Sequence, residues 1–348
     1  MDITMVDKCE YVIGSTGCLN CNKVFFSFDC DGCHSVWLSK DLTNCSDCFG
    51  CAGLRNMKYC LFNEQLTKDE YERRLAEINT GSYMQFQEMA ERAKNTWLSV
   101  PNRYMHGRHN DVVSGEYINN SKNVRDSYIV FEGQDCRYCM WLVIKPNKDC
   151  YDYTQFGENA QSMYETLTTG KGVSNIRFSN FCTSEVSRLT YCDACHNGSA
   201  DLFACIGMRK KQYCIFNKKY TKEQYEELVP KIITQMNELP FIDKKGREYK
   251  FGEYLPIELS PFAYNETDAQ EYYPMTKAAV IDAGYKWFEI EEKKHQETIM
   301  WSALPDEIGG VSDAITKQII LCKTWAEDSV HAQEQLCTKV YRILPQEL

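Results

Sequence analysis

The chain has 348 residues, enough for two or three domains with sizeable cores. A formal net charge of -10 leaves no basic face for phosphate backbones or anionic lipid, which argues against nucleic-acid and membrane partners and leaves an unknown protein partner as the expected one. The opening MDITMVDKCEYVIG has neither a basic nor an apolar leader region, and no apolar run approaches the roughly 20 residues of a membrane span, so a cytoplasmic location is expected.

The 22 tyrosines and 19 cysteines carry the signal. Where thiols stay reduced, cysteines serve as core residues or metal ligands and not as a disulfide framework. Seventeen of the 19 precede residue 215, whereas prolines gather after residue 229, so composition shifts near 230.

Residues 18–62 repeat with a step of 12. Cys18, Cys30, Leu42 and Leu54 form one ladder; Cys21, Cys33, Cys45 and Met57 a second; Val24, Val36, Cys48 and Cys60 a third. Phe26, Leu38, Gly50 and Phe62 form a fourth. Stacked short strands joined by Asn, Gly, Asp and Ser turns keep such a register, which predicts a solenoid. A full coil could hold 12 residues or half of a 24-residue rung. The Phe and Leu ladder favours the wider rung, because a 12-residue coil has little room inside for aromatics.

Two helices follow. Thr67 with Glu70 has capping-box spacing, and Tyr71, Leu75 and Ile78 then recur at helical intervals. Tyr83, Phe86, Ala90, Ala93 and Trp97 share one face of a helix over about 82–98, stopped by Pro101. Ladder character returns over 116–214, where Val124 stands in place of Cys18, Ser127 of Cys21, Leu202 of Cys48 and Ser199 of Cys45. FGCAGLRNMKYCLFNEQLTKDEYERRL (49–75) then recurs as FACIGMRKKQYCIFNKKYTKEQYEELV (203–229), identical at 12 of 27 positions, with Thr221 and Gln224 repeating the cap. Beyond it, Gly284 marks a helix stop, and Ser312 caps a further helix with Ile315, Ile319 and Cys322 on one face.

The expected fold is therefore mainly β: a Cys-rich, β-helix-like β-solenoid with helical insertions and an α/irregular C-terminal region. Its parts are repeat A (1–66), a helical insertion (67–100), repeat B (101–220) and a capping region (221–348).

Exchange of Cys for Val, Leu or Ser between copies is how a small buried residue behaves, so the cysteines read first as wall. Several chemistries compete with that reading. Cys18, Cys21, Cys30 and Cys33 are two CxxC pairs 12 apart, which in a 12-residue coil would stack and converge on zinc. Cys45, Cys48, Cys51 and Cys60 resemble an iron-sulfur series, but no Pro follows the last, and the second copy keeps only Cys205 and Cys214. CDGCH (30–34) and CDACH (192–196) satisfy the c-type haem pattern, with His34 or His196 as axial ligand. A carbohydrate-active β-helix enzyme would need facing carboxylates, and Asp29, Asp31, Asp135 and Asp193 fall in turns where Asp is favoured anyway. MHGRHN (105–110) reads as an exposed loop, and Cys322, His331 and Cys337 as a sparse C-terminal set. No catalytic residue is assigned.

The segments 16–75 and 200–348, including LPIELSPFAYNETDAQEYYPMTKAAVIDAGYKW, resemble an uncharacterised Cys-rich repeat family of uncultivated small-genome bacteria. The resemblance implies zinc-ribbon-like CxxC modules nearby, of which LCTKVYRILPQEL (336–348) looks like the beginning, without the paired cysteines. It implies no activity. The expected function is a non-enzymatic scaffold presenting a repetitive surface, with zinc binding as the alternative.

Overall fold

From Met5 to Phe62 every third residue has a positive φ, close to +50° at most positions. Asn20, Asp29, Asp41, Asn44, Asp47, Asn56 and five glycines hold many of these corners, the residue types that enter the left-handed region at least cost. The residue after each corner turns inward: Cys18, Cys21, Val24, Ser27, Cys30, Cys33, Val36 and Ser39 are all buried. Four corners complete a circuit of 12 residues. Each circuit pairs in parallel with the next at four places, Leu19↔Asp31, Asn22↔His34, Phe25↔Trp37 and Phe28↔Lys40, so the ladders close on themselves as a four-stranded parallel barrel.

This is a computed structural model that describes residues 5–289, 295–334 and 337–347. It divides into two units, Met1–Asn102 with Glu292–Leu348, and Arg103–Glu291. Of the stretch 221–348, residues to Glu291 thus belong to the second unit and the remainder to the first. Leu336 and Leu348, the ends of the LCTKVYRILPQEL segment, lie outside the described residues.

In the first unit β1 (Glu10–Ile13), β2 (Asn22–Phe25), β3 (His34–Trp37), β4 (Ser46–Phe49), β5 (Lys58–Leu61) and β6 (Glu64–Gln65) form one six-stranded sheet, parallel except for the last pair. Helices α1 (Lys68–Ala76) and α2 (Tyr83–Leu98) lie over its outer surface. Thr67 and Ser82 cap them by accepting the amides of Glu70 and Gln85. Leu38, Phe49, Leu61, Tyr71 and Ala93 bury one another between helix and sheet, and the Trp97 indole donates to Leu38 O at 3.1 Å.

In the second unit β7 (Gly107–Arg108), β8 (Asp111–Asn119), β9 (Lys122–Phe131), β10 (Gly133–Arg137), β11 (Met140–Leu142), β12 (Asn147–Gly157), β13 (Ala160–Gly170), β14 (Val173–Asn180), β15 (Ser187–Thr190), β16 (Ala200–Phe203), β17 (Gln212–Ile215) and β18 (Lys218–Lys219) form a twelve-stranded sheet. Most of it steps by 13 residues, as in Gln161↔Ser174 and Ser174↔Ser187. The longer circuit has room inside for Tyr153, whose hydroxyl donates to Thr169 O and accepts the Gly157 amide. Helix α3 (Lys222–Glu238), closed at its start by the Thr221/Gln224 capping box, packs Tyr225, Leu228 and Ile232 on Phe203 and Ile215.

Three expectations are corrected. The fold is not the mainly β, Cys-rich β-solenoid expected: it is mixed α/β, 23% helical and 37% strand, with mostly parallel sheets, a closed four-stranded barrel and the twelve-stranded sheet. The helices are not inserts in a β structure. They form a second layer that buries the outer aromatic surface of each sheet. Nor is the circuit 24 residues wide in the first unit, because Val24 pairs directly with Val36 and Val36 with Cys48. Phe26, Leu38 and Phe62 had suggested a roomy interior, but they are corner residues with φ of 50°, 47° and 49° and pack outward under the helices. Gly50 makes way for one of them, since a Cβ there would sit 2.4 Å from the Phe62 ring. The expected helix after Ser312 is a short 3-10 turn over Asp313–Lys317 with no side-chain cap, followed by a strand at Ile320–Leu321.

Candidate functional site

The structure brings Cys18, Cys21, Cys30 and Cys33 together inside the barrel. Cys18 neighbours Cys21 and Cys30, and Cys33 neighbours the same two, so the four sulfurs lie together in the interior. The neighbouring thiols, with burial, push Cys18 and Cys33 far up. The same neighbours pull Cys21 and Cys30 down against burial.

Each thiol is also wired to the main chain. The S–H groups of Cys18, Cys21, Cys30 and Cys33 point at the carbonyl two residues back, at 3.7, 3.1, 3.5 and 3.5 Å. Cys21 Sγ accepts the Cys33 amide at 3.4 Å, as Cys9 Sγ accepts that of Cys21. Serine does the same two columns away, where Ser15 and Ser27 accept the amides of Ser27 and Ser39. Zinc would need these sulfurs as thiolates, which would turn negative charge toward carbonyl oxygens that now receive S–H donors. Zinc would therefore have to displace these S–H bonds together with the four protons. Among the described residues no group of three or more His, Cys, Asp or Glu side chains is arranged to hold a metal ion.

The remaining sequence candidates separate in the same way. Cys45, Cys48 and Cys51 occupy three successive sides of one circuit, with Cys60 below Cys48, and all four donate to carbonyls. In both CxxCH motifs the cysteines are buried, whereas His34 is exposed and His196 packs edge-on against Phe181 and contacts Thr183 Oγ1 at 3.0 Å. Haem attachment needs thiols and axial histidine on one side, so the geometry does not suit it. Asp31, Asp135 and Asp193 accept from Asn20, Asn123 and Asn180 of the preceding circuit, which makes them corner-ladder groups. Asp29 is itself a corner, with φ 55°. His106 is half-buried, stacks on Tyr117 and contacts Glu116, an acid ten residues on that its own motif did not reveal. His331 is exposed, and Cys322 and Cys337 are half-buried.

Sequence reasoning missed a cleft of about 360 Å³ in the first unit. Its walls are Phe26 and Trp37 from the barrel, Tyr83 and Phe86 from α2, and Asp306, Ile308 and Val311. The segment carrying Asp306 is pinned to the start of α2. Its carboxylate accepts from Ser82 Oγ at 2.5 Å and the Met84 amide at 2.9 Å, its carbonyl accepts the Tyr83 amide at 3.0 Å, and Ile308 N donates to Gly81 O at 3.0 Å. The two donors to the carboxylate hold Asp306 below the usual carboxylate range. The sequence did mark Ser82 as a helix start, but nothing local ties it to Asp306, which lies 224 residues away.

No family model matches the sequence. The alkanal monooxygenase beta chain of Photorhabdus luminescens is similar at 25% identity over 137 residues, 36% of this chain and 41% of that protein. The chain thus spans less than half the length of this curated relative. No helix among the described residues is long and apolar enough to cross a membrane.

Proposed function

We propose that the protein is a non-enzymatic interaction scaffold, in which thiols pack the interiors and the outer faces carry the contacts. The observation that supports it is the wiring of the cysteines: sixteen are buried, and thiols in both units donate to main-chain carbonyls as serines do. Groups so occupied hold the backbone together and leave chemistry to the surface. On that surface Tyr138, Tyr151 and Tyr164 follow one another along consecutive circuits, the first pair edge to face and the second stacked, with ring centroids 5.3 and 5.6 Å apart, and the first two remain exposed. Such a row repeats one contact at regular spacing, as an extended partner requires.

Zinc binding at Cys18, Cys21, Cys30 and Cys33 is the alternative, and one experiment separates the two. Protein purified with zinc present is assayed for metal and melted with and without a chelator. The scaffold reading expects no stoichiometric zinc and an unchanged Tm. One zinc per chain, lost together with stability on replacing Cys18 and Cys21, would overturn it.

A further inference from the structure

We infer that the cleft bordered by Phe26, Trp37, Tyr83, Phe86 and Asp306 binds an alkylated ammonium group carried by a small molecule. This is independent of the scaffold reading. Phe26 is inclined at 48° to Trp37 and 64° to Phe86, with centroids 6.2 and 4.9 Å away, so the three rings turn toward different directions instead of stacking flat. Phe25 packs on Trp37 with centroids 4.5 Å apart, and Phe26 meets Phe86 edge to face, so a cation would lie against the outer side of this cluster, where the remaining π faces attract it, tryptophan most strongly. Tyr83, 59% exposed, adds a fourth ring at the rim.

The polar group of the cleft is a carboxylate, and it is fixed. Ser82 and the Met84 amide hold it from one side, each using a single oxygen, which leaves lone pairs for a ligand. An anion would be repelled there. A neutral apolar ligand would contact the rings and gain nothing from the carboxylate, which is exposed to solvent. A bare metal ion would find one carboxylate, the Thr80 and Ser82 hydroxyls and aromatic walls, too few anionic ligands for a hard cation. An alkylated ammonium satisfies both surfaces, because its charge is spread under methyl groups that are cheap to desolvate against aromatic carbon. The chain's net charge of -10 raises the local concentration of such cations. The volume lies at the small end of the range for ligand sites, roughly 300–1,000 Å³.

Isothermal titration of the full chain with choline, tetramethylammonium and 3,3-dimethylbutan-1-ol, the uncharged carbon analogue of choline, tests this. The expected result is saturable binding of both cations with Kd of about 0.1–10 mM and at least about tenfold weaker binding of the alcohol. Asp306→Asn should weaken choline about tenfold and leave the alcohol unchanged. Because Asp306 also pins its segment, Trp37→Leu serves as a second variant: it keeps apolar volume, and it should cost choline more than the alcohol. Tyr104→Ala, at an exposed site in the other unit, should change neither. Equal affinity for choline and the alcohol, absence of saturable binding by either cation, or wild-type choline affinity in both Asp306→Asn and Trp37→Leu would overturn the inference.

Discussion

Replacing Cys21 and Cys48 in parallel separates the two roles that a buried thiol plays in this barrel. Cys21 Sγ donates to Leu19 O at 3.1 Å and accepts the Cys33 amide at 3.4 Å. Valine removes the acceptor and leaves a buried N–H without a partner, at a cost of about 1–3 kcal/mol. Serine keeps both bonds, as Ser127 shows in the second unit, where its hydroxyl donates to Arg125 O at 2.7 Å and accepts the Cys139 amide at 3.0 Å. Its expected cost is about 1 kcal/mol or less, for the volume lost. Cys48 is different. It pairs with Val36 above and Cys60 below and donates to Ser46 O at 3.4 Å. Valine there should cost about 1 kcal/mol or less, and serine should cost more, since it loses apolar volume among apolar neighbours. The order of the substitutions should therefore cross: serine better than valine at 21, valine better than serine at 48. Urea midpoints of the four variants measure it. The same order at both sites would refute the distinction between wired and apolar columns.

Two further outcomes follow from the termini of the ladders and from α1. Asn63 Oδ1 accepts the Ala52 amide at 2.8 Å and its Nδ2 donates to Ala52 O at 2.9 Å, so Asn63→Ala should lower stability by about 1–3 kcal/mol in urea denaturation, and Asn63→Asp, which keeps only the acceptor, should fall between. Arg73 and Arg74 hold the Glu70 carboxyl at about 2, below its ordinary 4.5, so its contribution is complete above about pH 4.5 and is lost as pH falls toward 2. In Glu70→Gln the decline of the urea midpoint across that window should be shallower than in the wild type; an identical decline would show that the pairs contribute nothing.

What could be read in the sequence was local or periodic. The ladders Cys18/Cys30/Leu42 and Val24/Val36/Cys48 are columns of neighbouring circuits, and the helix over 82–98 runs from Tyr83 to Leu98 behind a Ser82 cap. Capping chemistry and a fixed step survive any tertiary context. The width of the circuit did not, because an aromatic ladder at corner positions has the same period inside or outside the wall, and only the sign of φ tells them apart. The share of helix was misjudged for a related reason: α1, α2 and α3 looked like interruptions until their partners on the sheet, such as Phe49 and Phe203, were seen to be the apolar layer they cover. The cleft was illegible because Asp306 and Ser82 meet only in the folded chain.

Asn63 and Asn217 end their ladders in the same way, each offering its side-chain amide to one backbone N–H and one C=O, those of Ala52 and Ile206. The main-chain amide of each also donates to a thiol one circuit back, Cys51 Sγ and Cys205 Sγ, at 3.4 Å. A terminator that recognises one peptide unit and one thiol of the last circuit is indifferent to how many circuits precede that one. Length is then a free variable in units of whole circuits. Excising residues 22–33 would join Cys21 to His34 and leave every corner in phase, whereas removing a single residue would put the next inward-facing position on the outside. Such a chain can drift in sequence and in size while its ends stay unchanged, provided that gains and losses arrive one circuit at a time.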